Sequence, residues 1–283
     1  MSNMLNLLIL ALEDLKKDGR DEVFISEDNL QFLRQIGNNS PVFETKDQNF
    51  NQRQDNMKSN TSKSTYFPVN EPIILPNMSK QEQYAWLKNK VLSCPTCNQH
   101  VRPGKKIVFG VGNLDADIFF CGEAPGADEE EQGEPFVGRA GQLLTKIILA
   151  MGLTRSEVYI GNIMNWRPEL DSAVGNRPPT QDEMQFCLPY LKAQINIVQP
   201  KVIVALGATA VNGLFGYDST RRMRDVRGHW LEFDGTPCMV TFHPSYLLRN
   251  NTMQTKRTVW EDMLKVMEKI GLPISDKQRN FFL

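Results

Sequence analysis

The sequence predicts an α/β fold of three layers, α/β/α, with helices on both faces of a central, mostly parallel sheet of about four strands. Two observations predict it. Short apolar runs alternate with helical patterns from about residue 107 onward. One of these runs, Ile118–Cys121, breaks into the turn Gly122-Glu123-Ala124-Pro125-Gly126 just ahead of a helix start near Arg139. A strand that ends in a glycine-rich turn before a helix is where such a sheet exposes backbone N–H groups and places a ligand.

Taken in order, Asn3–Lys17 has helical spacing, with Leu5, Leu8, Leu12 and Leu15 on one face. Ser26 caps a second short helix bearing Leu30, Leu33 and Ile36. Residues 1–36 thus form a small helical segment. It either packs on itself or on the main domain, or docks an unknown protein partner. Residues 37–75 read as a polar, disordered linker, because its central stretch has too few aliphatic side chains to offset ordering entropy. Residues 76–283 form the main domain. Ser79-Lys80-Gln81-Glu82 is a capping box for a helix with Tyr84, Leu87 and Val91 on one face. Apolar runs at Ile107–Phe109, Ile118–Cys121, Val158–Ile160, Val202–Leu206 and Met239–Phe242 read as strands. Helices separate them at about Gly141–Met151, Gln181–Val198, Ala208–Phe215 and Lys256–Ile270, the second opened by the capping box Thr180-Gln181-Asp182-Glu183.

Net charge over the 283 residues is −1, so the whole molecule does not advertise nucleic-acid binding. The balance is uneven: residues 1–78 carry net −3 and the rest net +2. Any nucleic-acid footprint is therefore local. Met4–Leu12 lacks the basic flank of a secretory leader and is too short to span a bilayer. Five cysteines, two of them as Cys94-x-x-Cys97, fit a reducing cytoplasmic setting without disulfides.

The motif Gly122-Glu123-Ala124-Pro125-Gly126 with Pro135-Phe136-Val137-Gly138-Arg139-Ala140-Gly141 is joined by His243-Pro244-Ser245-Tyr246-Leu247-Leu248-Arg249. Between them stand Tyr159-Ile160-Gly161-Asn162, Arg167-Pro168 and Asn176-Arg177-Pro178-Pro179-Thr180. In order and combination this set closely resembles the family 4 uracil-DNA glycosylases, from about Cys94 to about Ile270. The resemblance implies hydrolysis of the N-glycosidic bond of uracil in DNA, with uracil-containing DNA as partner and an abasic site as product. An extruded base must be read, and charge on the departing base must be stabilised. By resemblance His243 stabilises that charge, Asn162 reads the uracil edge, Phe136 stacks on the base and Ala124 contributes backbone to it. Glu123 or Glu129 positions water or stabilises the cationic sugar; Glu129 and Glu130 read equally well as solvated surface charges. Asn176 supports the site. Ser245, Tyr246, Leu247 and Leu248 suit a wedge entering the duplex, with Arg249 on phosphate. Arg221, Arg222, Arg224 and Arg227 suit a phosphate-tracking surface or a solvated loop.

The family carries a [4Fe–4S] cluster on four cysteines. Cys94, Cys97 and Cys187 match three of them, and the fourth position holds Trp166. Three readings stand: a cluster with a non-cysteine or exogenous ligand, a different metal such as zinc with His100 nearby, or no metal with Trp166 filling the space. Two alternatives to turnover also stand. One is a protein on the same fold that captures uracil-DNA without releasing it, and the other is a non-catalytic scaffold acting through the leucine-rich N-terminus. The catalytic domain reads as a monomer.

Overall fold

The computed structural model describes residue 67, residues 71–169 and residues 176–283. The expectations for the N-terminal helices and most of the polar linker lie outside these residues. Phe67, Ile73 and Leu75, which the sequence reading assigns to the linker, pack against the core. These three apolar side chains have surface to bury, unlike the polar stretch before them.

Helix α1 (Lys80–Leu92) starts at Ser79, where both halves of the expected capping box form. A short helix, α2 (Pro95–Gln99), follows. The sheet then assembles from β1 (Val111–Gly112), β2 (Ile118–Gly122), β3 (Tyr159–Asn162), β4 (Val202–Leu206), β5 (Trp230–Phe233) and β6 (Thr236–Thr241). Their spatial order is β1-β3-β2-β4-β6-β5. The four inner strands are parallel to one another, and every residue of β2, β3 and β4 is buried, as strands covered on both faces require. The helices between strands are α3 (Ala127–Gln132), α4 (Arg139–Ala150), α5 (Gln181–Val198), α6 (Ala208–Phe215) and α7 (Met223–Val226). After β6 come α8 (Pro244–Arg249), α9 (Met253–Ile270) and α10 (Asp276–Arg279).

Alternation along the strands builds two cores. Phe119, Cys121, Ile203 and Ala205 pack with α1, α5 and α6 on one face. Ile118, Phe120, Val202 and Val204 pack with α4 and α9 on the other. This is the expected three-layer sandwich.

Two strand assignments change. Ile107–Phe109 is buried but forms no ladder, and the strand falls instead at Val111–Gly112, antiparallel to β3. A Cβ on Gly110 would lie 2.3 Å from Gln194 Oε1, so the backbone there presses on α5. The other change is the edge strand β5, joined to β6 by Asp234-Gly235 with both residues at positive φ (46° and 81°). That dipeptide is a strong hairpin signal. Among the described residues the sheet therefore has six strands, the four parallel ones flanked by an antiparallel strand at each edge.

Candidate active site

The inner strands all run the same way, so the residues just past their carboxyl ends gather at one rim. Gly122 ends β2, Asn162 ends β3, and His243 follows β6. Asn162, His243 and Glu123, the residue just after Gly122, border a cavity of about 580 Å³. Nine of the expected residues line it: Glu123, Ala124, Glu129, Phe136, Asn162, Asn176, His243, Ser245 and Arg249.

His243 caps α8. The Ser245 backbone N–H donates to its Nδ1 (3.1 Å), and the Ser245 hydroxyl lies 2.8 Å from the same atom. An Nδ1 that accepts carries no proton, so the neutral ring bears its N–H on Nε2. Burial, with the Arg249 charge adding to it, holds the His243 pKa down to about 4. The ring is therefore a neutral donor at physiological pH. Gly207, at φ +90°, lets the neighbouring turn close on it: a Cβ there would be 3.0 Å from His243 Cβ.

Asn162 is 7 % exposed, and its Oδ1 has no hydrogen-bond partner among the described residues. Phe136 is also buried, with its ring 5.6 Å from that of His243. A Cβ on Gly122 would meet Asn162 Oδ1 at 2.3 Å and the Phe136 ring at 2.5 Å, so only glycine keeps these two groups together. Glu123 is half-buried, and burial raises its pKa against a hydrogen bond from Thr209.

Glu129 has a different task from the one expected of a water-positioning acid. Its carboxylate accepts from the backbone N–H groups of Gly126 (3.0 Å), Val137 (3.0 Å) and Gly138 (2.9 Å). It ties the glycine-rich turn to the Phe136 turn. Glu130 is not a solvated charge either. It is 4 % exposed and paired with Arg167 (2.7 Å), whose Nε donates to Asn176 Oδ1 (2.8 Å). Arg139 and Arg177, for which the sequence reading gave no role, also line the cavity; both sit inside motifs already singled out.

The expected DNA surface is only partly assembled. Tyr246 and Leu248 are exposed, at 36 % and 38 %, but Leu247 is buried at 5 % because α8 turns it inward. Tyr246 stacks on Phe242 (4.5 Å), while Leu247 and Leu248 border a second cavity of about 500 Å³ with residues of α4 and α9. Arg227 points its Nη1 at the fully buried carboxylate of Asp262 (2.7 Å), and Arg221 bonds the Gly216 carbonyl. A guanidinium held by a buried acid serves the fold first. Arg224 is exposed beside Asp225, away from the cavity lining.

Cys97 and Cys187 are buried, and burial pushes both thiols far up. Among the described residues no three His, Cys, Asp or Glu side chains are arranged to hold a metal ion. Trp166, 1 % exposed, stacks against His100 (5.3 Å) and Phe67 (6.1 Å) and leans on Phe186. An indole in that place supplies no ligand, so the donor set does not fit a cluster held by four thiolates.

A family model described as the uracil DNA glycosylase superfamily matches residues 109–264. The type-4 uracil-DNA glycosylase of Thermotoga maritima is 42 % identical over 189 residues, covering 66 % of this chain and 94 % of that protein. The type-4 enzyme of Archaeoglobus fulgidus is 36 % identical over 200 residues, or 68 % and 94 % of the two chains. A type-5 uracil-DNA glycosylase of Pyrobaculum aerophilum is 26 % identical over 175 residues, or 56 % and 75 %. With that extent of match, and with the matched motifs meeting around one cavity, the chain belongs to the uracil DNA glycosylase superfamily.

Proposed function

We propose that this chain is a monofunctional uracil-DNA glycosylase that hydrolyses the N-glycosidic bond of deoxyuridine in DNA. The observation that carries the reading is a neutral His243 with its free N–H on Nε2, bordering the same cavity as the unpartnered Oδ1 of buried Asn162. The target nucleotide leaves the base stack and enters this cavity. Its base stacks on Phe136. Asn162 Oδ1 accepts from uracil N3–H, and the Asn162 amide donates to O4; cytosine offers the reverse pattern.

As the bond between sugar C1′ and uracil N1 breaks, its electron pair leaves with the base. His243 Nε2–H donates to the uracil carbonyl oxygen on which that charge accumulates. Water then bonds to the oxocarbenium-like C1′, and the proton it releases neutralises the uracil anion, leaving an abasic sugar and free uracil. Glu123, half-buried at the cavity wall, is the acid placed to hold that water. Arg139 and Arg249 line the same cavity and suit the flanking phosphates, whereas Arg177, also in the lining, has both Nη groups held by the buried Glu183 carboxylate (2.7 Å each). Asn176, held by Arg167, supports the wall near them. No step calls on a metal. On this reading the protein works in the cytoplasm, the reducing setting that its five cysteines fit.

The test is cleavage after hot alkali of a labelled oligonucleotide bearing one uracil. Wild type releases uracil over many turnovers, and His243→Ala loses roughly 10²–10³-fold. Correctly folded wild type that cuts nothing overturns the enzymatic reading. Retained uracil-DNA binding would then favour a capture protein.

A further inference from the structure

Phe136 stands in the left-handed region, at φ +55°. A bulky aromatic residue is an outlier there and stays only where its surroundings over-determine it. Those surroundings can be named. Glu129 holds the turn by the N–H groups of Val137 and Gly138. From the other side, Arg155 donates Nη2–H to the Pro135 carbonyl (2.9 Å) and Nη1–H to the Phe136 carbonyl (3.1 Å). Helix α4 closes against the same peptide, since a Cβ on Gly141 would lie 1.8 Å from Phe136 O. Arg155 itself is half-buried and steadied by Thr145 Oγ1 (3.4 Å). It does not line the cavity.

We infer that Arg155 is a positioning residue for the flipped base: its planar guanidinium fork holds Phe136 in the left-handed conformation that presents the ring to the cavity. This rests on the reading of Phe136 as the stacking ring. Two parallel donors on two successive carbonyls fix a peptide plane in a way that one ammonium cannot, so lysine is only a partial substitute. The residue acts on binding of the base and leaves the bond-breaking groups untouched. Its loss therefore appears in KM and in affinity for free uracil more than in kcat.

The experiment uses the full chain and four variants: Arg155→Met, Arg155→Lys, Phe136→Ala and the double variant Arg155→Met/Phe136→Ala. Arg257→Met is the control, because Arg257 also donates to two backbone carbonyls, those of Arg279 and Phe281, away from the cavity. KM, kcat and inhibition by free uracil are measured. Arg155→Met raises KM and weakens uracil inhibition by roughly 10-fold with kcat little changed. Arg155→Lys recovers part of the loss. The double variant is no worse than Phe136→Ala, as expected of residues that act through one another. Uracil inhibition in Arg155→Met equal to that of Arg257→Met overturns the inference, and so do losses that add in the double variant. Absence of uracil release by wild type would sink the glycosylase reading alone. The clamp is then decided by a crystal structure of Arg155→Met: Phe136 leaving the left-handed region upholds it, and Phe136 remaining there overturns it.

Discussion

Two buried polar atoms without partners sit in opposite surroundings. Asn162 Oδ1 borders the cavity at the carboxyl rim of the sheet. Trp166 Nε1 is enclosed by the rings of Phe67, His100 and Phe186. An unpaired buried group costs about 1–3 kcal/mol in either place. In the cavity a ligand's N–H can offset that cost. In the aromatic corner no described residue hydrogen-bonds the indole N–H, and ring packing surrounds it instead. The site thus carries a cost that a bound base can offset, whereas at Trp166 the surrounding rings are what offsets it.

The sharpest way to break this comparison is Trp166→Ala. If the indole holds the corner together, the variant loses about 3–5 kcal/mol in denaturant unfolding and keeps wild-type inhibition by free uracil. Loss of inhibition without loss of stability would reverse the assignment of the two regions.

Acid gives the next largest effect. The folded His243 pKa of about 4 lies below its ordinary 6.5, so between these values the unfolded chain binds the extra proton. The neutral ring's contribution is complete above pH 6.5 and is lost as pH falls towards 4, by up to about 3 kcal/mol. In His243→Gln that part of the pH–stability curve flattens. The pH–rate profile of wild type shows no limb near 6.5.

Asn162→Ala sharpens the contrast from the other side. It removes the unpaired oxygen, so unfolding free energy stays level or rises. Uracil release falls roughly 10–100-fold. The smallest expected change is in Arg249→Ala, which lowers the slope of log affinity against log salt by about one unit in duplex titrations.

How much of this was legible in the sequence follows from how each part is built. The inner strands read clearly because apolar runs bounded by glycine and capping boxes are local signals. β4, α5 and α6 fall where the pattern puts them. The site residues were legible because parallel strands deliver their ends to one rim whatever the loops do. The backbone-holding task of Glu129, and Arg155 altogether, were not legible. Their partners are backbone N–H and C=O groups of a turn, and no side-chain pattern records those. The inward turn of Leu247 was hidden for a related reason: in Tyr246-Leu247-Leu248 all three residues are large and apolar, and only the helix phase of α8 decides which one is buried. The cysteine corner depends on loops meeting in space, and one substitution at Trp166 changes what that meeting can hold.

The two antiparallel edge strands bear on the protein's behaviour in a crowded cell. A sheet that ended on β3 or β6 would offer a long apolar ladder to any passing unfolded chain. Instead one end is closed by a two-residue strand and the other by β5, where Glu232 interrupts the apolar residues. Lys269 lies over the exposed Trp230 ring (5.8 Å) at the same border. Short, charged edges resist strand addition. Aggregation by edge pairing is thereby discouraged at the two places where a mostly parallel sheet is most open to it.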